Sequence, residues 1–237
     1  QIDYINNEGY SFGNSEYGEG DTVQVEFVSV NPTGPVHVGH ARGAILGDSL
    51  SNILDAAGFR VTREYYFNDA GTQMDLFYRS LYARYLQLHD KETQMPDGGY
   101  MGDYMIDLAK VIFDAFGGQF VTVQQEEALH SIGRLGLDNM LENIREDLDK
   151  LKIRFDIWFK EHTLYEQGQY NKAMTLLKDG NHLTKRDGAT WFVSSVLGEE
   201  KDNVIVRSSG IPTYFASDIA YHYNKFIERQ FSKVINV

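Results

Sequence analysis

The chain has 237 residues, 42% hydrophobic and 24% charged, the profile of an ordinary globular protein with room for one large domain or a core domain plus an insertion. Its 34 acidic against 22 basic side chains give a net charge of −12, a poor electrostatic match to a phosphate backbone, so nucleic-acid binding would need a local basic patch or further segments. The absence of cysteine excludes disulfides, thiolate zinc sites and cysteine nucleophiles, and no apolar run approaches the roughly 20 residues that span a membrane.

The chain opens on Gln1-Ile2-Asp3, with no basic region leading into an apolar one, so no signal peptide is expected. It starts without Met and stops on the apolar Val234-Ile235-Asn236-Val237, so both ends read as cut and a longer parent protein is expected. Residues 1–20, rich in Gly, Asn, Ser and Tyr, predict an irregular lead-in. Over 22–29, Val23, Val25 and Phe27 alternate with Gln24 and Glu26, which predicts a strand. Asn31-Pro32-Thr33-Gly34-Pro35 breaks it. Ala41, Ile45, Ile53, Leu54 and Ala57 then recur at helical spacing, and Gly58 is a natural stop. A second strand follows, with Val61, Tyr65 and Phe67 on it. Strand, loop, helix and strand make a βαβ unit and imply a parallel, Rossmann-like sheet.

After residue 71 the pattern turns helical. Helices are predicted over 72–89, 101–116, 124–152 and 166–179, with a loop at Met95-Pro96-Asp97-Gly98-Gly99. Ile132, Leu135, Met140, Ile144, Leu148 and Leu151 mark an apolar stripe that reads as ordinary core. Lys150, Lys152, Arg154 and Lys160 form a local basic cluster that reads as a solvated face. Arg186-Asp187-Gly188-Ala189 signals a hairpin turn between 182–185 and 190–196. A strand at 203–207, a helix over 214–229 and a strand from 232 onward resume the α/β rhythm. The expected organisation is a lead-in (1–20), the first half of a nucleotide-binding domain (21–71), a mainly helical insertion with a hairpin (72–202), and the start of a second half (203–237).

The segment Asn31-Pro32-Thr33-Gly34-Pro35-Val36-His37-Val38-Gly39-His40 carries the chemistry. It lies between a strand and a helix, where open α/β sheets place ligands. A helix start offers backbone N–H groups and partial positive charge to phosphate. Two histidines three residues apart add donors, which suits adenylate transfer, where charge develops on a pentacoordinate phosphorus as pyrophosphate leaves. Gly39 leaves room for a close approach to the backbone. A satisfied surface pair, or half of a metal site, is the alternative for the two histidines; no third metal ligand is evident and no metal centre is expected.

The run Val25-Glu26-Phe27-Val28-Ser29-Val30-Asn31-Pro32-Thr33-Gly34-Pro35-Val36-His37-Val38-Gly39-His40-Ala41-Arg42-Gly43-Ala44 closely resembles the HIGH-type signature of class I aminoacyl-tRNA synthetases, in the form typical of arginyl-tRNA synthetase. Arg63-Glu64-Tyr65-Tyr66-Phe67-Asn68-Asp69-Ala70-Gly71-Thr72-Gln73 is similar to that family's next segment. Phe155-Asp156-Ile157-Trp158-Phe159-Lys160-Glu161 and Pro212-Thr213-Tyr214-Phe215-Ala216-Ser217-Asp218-Ile219-Ala220 are similar to two more. The resemblance runs from about residue 20 to the end. It implies a class I (HUP-type) catalytic domain, truncated before its second half is complete and without the tRNA-elbow and anticodon-binding domains.

It further implies ATP-dependent activation of L-arginine to arginyl-adenylate, transfer to tRNA(Arg), magnesium with ATP, a cytoplasmic monomer away from membranes, and little activity in these 237 residues alone. By resemblance, His37 and His40 act on the ATP phosphates as the catalytic pair, and Pro32, Thr33, Gly34, Pro35 and Gly39 complete the ATP loop. Ser29 and Asn31 hold the amino-acid end. Glu161, Tyr214 and Asp218 take the arginine side chain.

The chemistry is coherent, since a guanidinium is always charged, carries five donors in a rigid fork and needs carboxylates and a phenol. Tyr214 and Asp218, four apart, share a helix face. A helix-dipole role for Asp218, a core role for Tyr214 and a surface role for Glu161 are the alternatives. Asn68, Asp69 and Gln73 are further candidates for ligand contact, with a turn role as the alternative. Three other functions share some of these features. They are a nucleotidylyltransferase with the same loop, a class I synthetase for glutamate or cysteine, and a synthetase-like paralogue that charges no tRNA.

Overall fold

A computed structural model describes residues 2–237. Four strands form a parallel sheet in the order β3-β2-β1-β7: β1 (Thr22–Glu26), β2 (Arg60–Phe67), β3 (Ile157–Lys160) and β7 (Lys233–Asn236). The hydrogen bonds show the parallel sense. Asp21 accepts from Arg60 N–H and Phe27 N–H reaches Glu64, so β1 and β2 ascend together. Ser232 N–H reaches Thr22 and Val237 N–H reaches Glu26, so β7 ascends with β1. Val23, Gln24 and Val25 are all buried, so β1 is covered on both faces, as parallel strands are. Helix α2 (Val38–Ala56) joins β1 to β2, as the βαβ reading requires.

The chain divides into two compact units. One holds Glu26–Asn52, Arg63–Phe159 and Val237. Its helices are α3 (Thr72–Gln87), α4 (Asp103–Phe116) and α5 (Gln125–Lys150), which pack on one another. Met74, Phe77, Leu81 and Tyr85 of α3 are buried, as are Ile132, Met140, Ile144 and Leu148 of α5. Each such side chain contributes about 1.5–3 kcal/mol by leaving water. The two helices approach closely because α5 carries glycine where they meet. A Cβ on Gly133 would fall 2.2 Å from Cγ of Tyr78, and one on Gly136 would fall 2.0 Å from Cδ2 of Leu81.

The expected stripe needs one change: Leu151 is 45% exposed. The helix stops at Lys150 and Lys152 takes a left-handed φ of 61°, so Leu151 falls outside the repeat.

The other unit holds the residues up to Val25, Ile53–Thr62 and Lys160–Asn236. The stretch 72–202, expected as one insertion, is thus shared between the two units. Helix α1 (Ile2–Glu8) corrects the irregular lead-in expected over 1–20, of which Gln1 lies outside the described residues. The glycine and serine that suggested irregularity lie after Glu8, and Asp3 in the first turn suits the helix dipole.

The helix expected over 166–179 is two pieces, α6 (Thr163–Glu166) and α7 (Gln169–Asp179), parted at Gly168 with φ 79°. Strands β4 (Leu183–Arg186) and β5 (Ala189–Phe192) form the expected hairpin, with Arg186 opposite Ala189. Asp187 and Gly188 take φ of 50° and 77°, so both central turn residues are left-handed, as a type I′ turn requires. Strand β6 (Asn203–Val206) completes a three-stranded antiparallel sheet. Helix α8 (Tyr214–Tyr223) widens into a π turn over Asn224–Glu228 that buries Lys225.

Candidate active site

In the first unit the site is built on the loop that leaves β1. Val28 and Ser29 both adopt left-handed backbone, φ 66° and 43°, which costs a β-branched valine in particular. Side chains over-determine that bend. Ser29 Oγ accepts the Tyr66 N–H at 3.1 Å, and the Tyr65 hydroxyl donates to the Val30 carbonyl at 2.9 Å. Asn31 Nδ2 donates to Gln73 Oε1 at 2.6 Å, so Ser29, Asn31 and Gln73 are brought to one place. Asn68 Oδ1 accepts the Ala70 N–H at 2.9 Å, the turn geometry weighed for it. Asp69 lies in that same turn. Pro32 is buried, while Pro35 is exposed and Thr33 and Gly34 are half-buried.

The two histidines sit ring against ring, centroids 3.6 Å apart and planes 21° from parallel. Each closes part of the helix start. His37 N–H donates to His40 Nδ1 at 3.3 Å, and Gly39 N–H donates to His37 Nδ1 at 3.1 Å. An accepting Nδ1 assigns the neutral tautomer with the proton on Nε2. Both rings therefore carry an Nε2–H donor, while two backbone N–H groups expected to be open at the helix start are taken by imidazole. Gly39 acquires a second reason: a Cβ there would stand 2.9 Å from Cε1 of His37. Burial, and after it the neighbouring His37, hold the His40 imidazole below its ordinary value, which favours the neutral ring.

In the second unit, Glu161 follows β3 and is buried, 8% exposed. Its Oε1 accepts the Ser217 hydroxyl at 2.8 Å, and the Ser217 oxygen also shares a hydrogen bond with the Tyr165 hydroxyl at 2.7 Å. Ser217 is one residue before Asp218, on the helix that Tyr214 begins. Glu161 is thus brought to the helix that carries Tyr214 and Asp218. Tyr214 is 64% exposed and Asp218 is exposed too; the Asp218 carbonyl is hydrogen-bonded to His222 Nδ1 at 2.8 Å. Thr213 fixes the helix start in extended backbone, its hydroxyl donating to the Val204 carbonyl at 2.8 Å. Burial pushes the Tyr165 phenol up, partly offset by the Ser217 bond.

Sequence reasoning missed Ser217 and Tyr165. Ser217 lay inside a motif already quoted, and Tyr165 follows Glu161 at the i,i+4 spacing of a helix face. Among the described residues, no group of three or more His, Asp or Glu could hold a metal ion, and no helix is long and apolar enough to cross a membrane.

Known proteins resemble this chain in sequence and fold. Residues 5–237 match the family described as tRNA synthetases class I (R), catalytic domain. An arginine–tRNA ligase of Dehalococcoides mccartyi is 54% identical over 230 residues, covering 97% of this chain and 41% of that protein. One from Carboxydothermus hydrogenoformans is 47% identical over 229 residues, with the same coverage. The chain thus spans about two fifths of the length of the curated relatives it matches. Among solved structures, a Campylobacter jejuni protein provisionally named arginyl-tRNA synthetase superposes with a TM-score of 0.87 at 36% identity, covering 98% of this chain and 51% of that one. The Thermus thermophilus arginyl-tRNA synthetase gives 0.63 at 28% identity, covering 87% of this chain and 36% of that one. With a family match over nearly its whole length and relatives this similar, the chain belongs to the catalytic-domain family of the class I (R) tRNA synthetases.

Proposed function

We propose that this chain carries the arginine- and ATP-binding part of an arginine–tRNA ligase, which activates L-arginine with ATP and transfers it to tRNA(Arg) in the cytoplasm. The observation that carries the reading is the self-capped pair His37 and His40, whose Nε2–H groups are fixed as donors at a helix start. An arginine carboxylate oxygen attacks the α-phosphorus, the bond to the bridging oxygen breaks, and pyrophosphate leaves with the electron pair. The terminal ribose hydroxyl of the tRNA then attacks the arginyl carbonyl, and AMP leaves. Both steps run on positioning and charge stabilisation, with no protein nucleophile.

Pro32, Thr33, Gly34, Pro35 and Gly39 shape the ATP loop around the histidine donors. Magnesium bound to the triphosphate would neutralise charge on the leaving group. The loop 31–40 contains no carboxylate, so its own residues would hold the ion only indirectly, through the phosphates they bind. Ser29 and Asn31, held by Tyr66 and Gln73, take the amino-acid end; Asn68, Asp69 and Gln73 border it. The guanidinium goes to Asp218 and Tyr214, with Glu161 as second carboxylate. The burial of Glu161 and its bond to Ser217 support that role.

Calorimetric titration tests the pocket. Arginine should bind and citrulline, its uncharged isostere, should bind at least about a hundredfold more weakly, the size of a lost charged hydrogen bond pair. Asp218→Ala should abolish arginine binding and leave ATP binding intact. Unchanged arginine affinity in that variant would remove the assignment. For the whole reaction, pyrophosphate exchange into ATP with tRNA present should respond to arginine alone among amino acids.

A further inference from the structure

We infer that Tyr104, together with Tyr65, is a positioning residue of the ATP loop, its phenol holding the Thr33 carbonyl so that this acceptor is engaged and the loop keeps one shape for a polyphosphate. The inference rests on the ATP reading above. A polyphosphate is repelled by carbonyl lone pairs, so each carbonyl that a loop engages elsewhere is one fewer acceptor set against it.

Here three of them are engaged. The Val30 carbonyl takes the Tyr65 hydroxyl at 2.9 Å, the Asn31 carbonyl takes the Thr33 N–H at 2.8 Å, and the Thr33 carbonyl takes the Tyr104 hydroxyl at 2.8 Å. The two phenols thus bracket Asn31-Pro32.

Tyr104 reaches the loop from a distant part of the chain. It is the second residue of α4, a helix anchored in the core by Met105, Leu108, Ala109 and Ile112. A Cβ on Gly102 would fall 2.5 Å from Cε1 of Tyr104, so the ring folds back over its own helix start only because residue 102 has no side chain. The ring then lies beside Gly34, whose added Cβ would meet the hydroxyl at 3.4 Å, ordinary contact. Burial, more than the neighbouring Tyr100, pushes the Tyr104 phenol up, and burial does the same at Tyr65 despite its bond to Val30, so both remain O–H donors at neutral pH. The helical segment that follows the βαβ unit thereby acquires a role at the ATP loop, setting the loop's shape from a rigid element.

Tyr104→Phe in the 237-residue chain tests this, with Gly102→Ala as a second variant that retains the hydroxyl group but displaces the ring that carries it. Amide exchange across residues 30–40, followed without ligand by mass spectrometry, should quicken several-fold in both. Calorimetry should show ATP affinity falling about five- to tenfold, the worth of one hydrogen bond, while adenosine affinity stays within about twofold. Unchanged exchange and ATP affinity would overturn the inference, and so would a parallel fall for ATP and adenosine, which marks general damage to the site. If the parent chain bound no ATP, the ATP reading would fall, and with it the polyphosphate role; the exchange comparison would still decide whether Tyr104 holds the loop.

Discussion

His37 and His40 stack at the head of α2, and the geometry gives His40 a pH signature. Burial, then the adjacent His37, holds its imidazole below the ordinary value of 6.5. The unfolded chain therefore takes up this proton first as pH falls. The site's contribution to stability is present in full above about pH 6.5 and is lost as pH drops toward the lower folded value. Urea unfolding midpoints should fall between about pH 7.5 and pH 5.5, and less steeply in His40→Gln than in the parent. Identical slopes would show that this ring is not held neutral by the fold. ATP should act in the opposite sense, because a triphosphate beside the ring favours the cation. Proton NMR should then show the His40 titration midpoint moving up on adding ATP, and a midpoint that stays put would separate this ring from the phosphates.

At the scale of elements, two helical glycines should respond with opposite signs. Alanine is a better helix former than glycine by about 1 kcal/mol. Gly43 on α2 has nothing within 4 Å of an added Cβ, so Gly43→Ala should stabilise by about 0.5–1 kcal/mol. Gly133 on α5 faces Tyr78 at 2.2 Å, and the clashing atom is the root of the ring, which cannot swing aside. Gly133→Ala should therefore destabilise by about 1–3 kcal/mol despite its helix propensity. Thermal unfolding of both variants checks the pair, and a stabilised Gly133→Ala would show the α3–α5 contact to be looser than described.

Elements of this kind also divide what was legible in the sequence from what was not. β1, α2 and β2 announced themselves because alternation and helical spacing are local signals, and the Asp187-Gly188 turn did so because left-handed backbone selects its residues. Ser29, Asn31 and the histidine pair were legible as candidates through the motif. The phenol bonds were not. Tyr65 lies 35 residues from Val30 and Tyr104 lies 71 from Thr33, and a single side-chain bond over such spans leaves no periodic trace. The π turn after Tyr223 escaped for another reason: apolar residues continue through it, and only packing decides where the helix yields.

On the scale of the whole chain, charge limits what these residues could contribute to holding the tRNA proposed above as partner. The net charge of −12 opposes a phosphate backbone. The basic cluster that might have countered it is partly cancelled, since Lys150 pairs with Asp147 at 2.8 Å and Arg154 with Asp149 at 3.1 Å. Those exposed pairs add little stability, but they remove local positive potential from the face they occupy. Few phosphates can then be neutralised here, and the salt slope of binding scales with their number. Filter binding of tRNA(Arg) to this chain should therefore be weak and should change by no more than about tenfold between roughly 50 and 200 mM salt, the response expected for about two phosphate contacts. Charge reversal at Asp147 and Asp149 to Lys should steepen that dependence by freeing Lys150 and Arg154. A thousandfold loss over the same range in the parent chain would instead reveal a phosphate-tracking surface, which the acidic balance of these 237 residues would not have prevented.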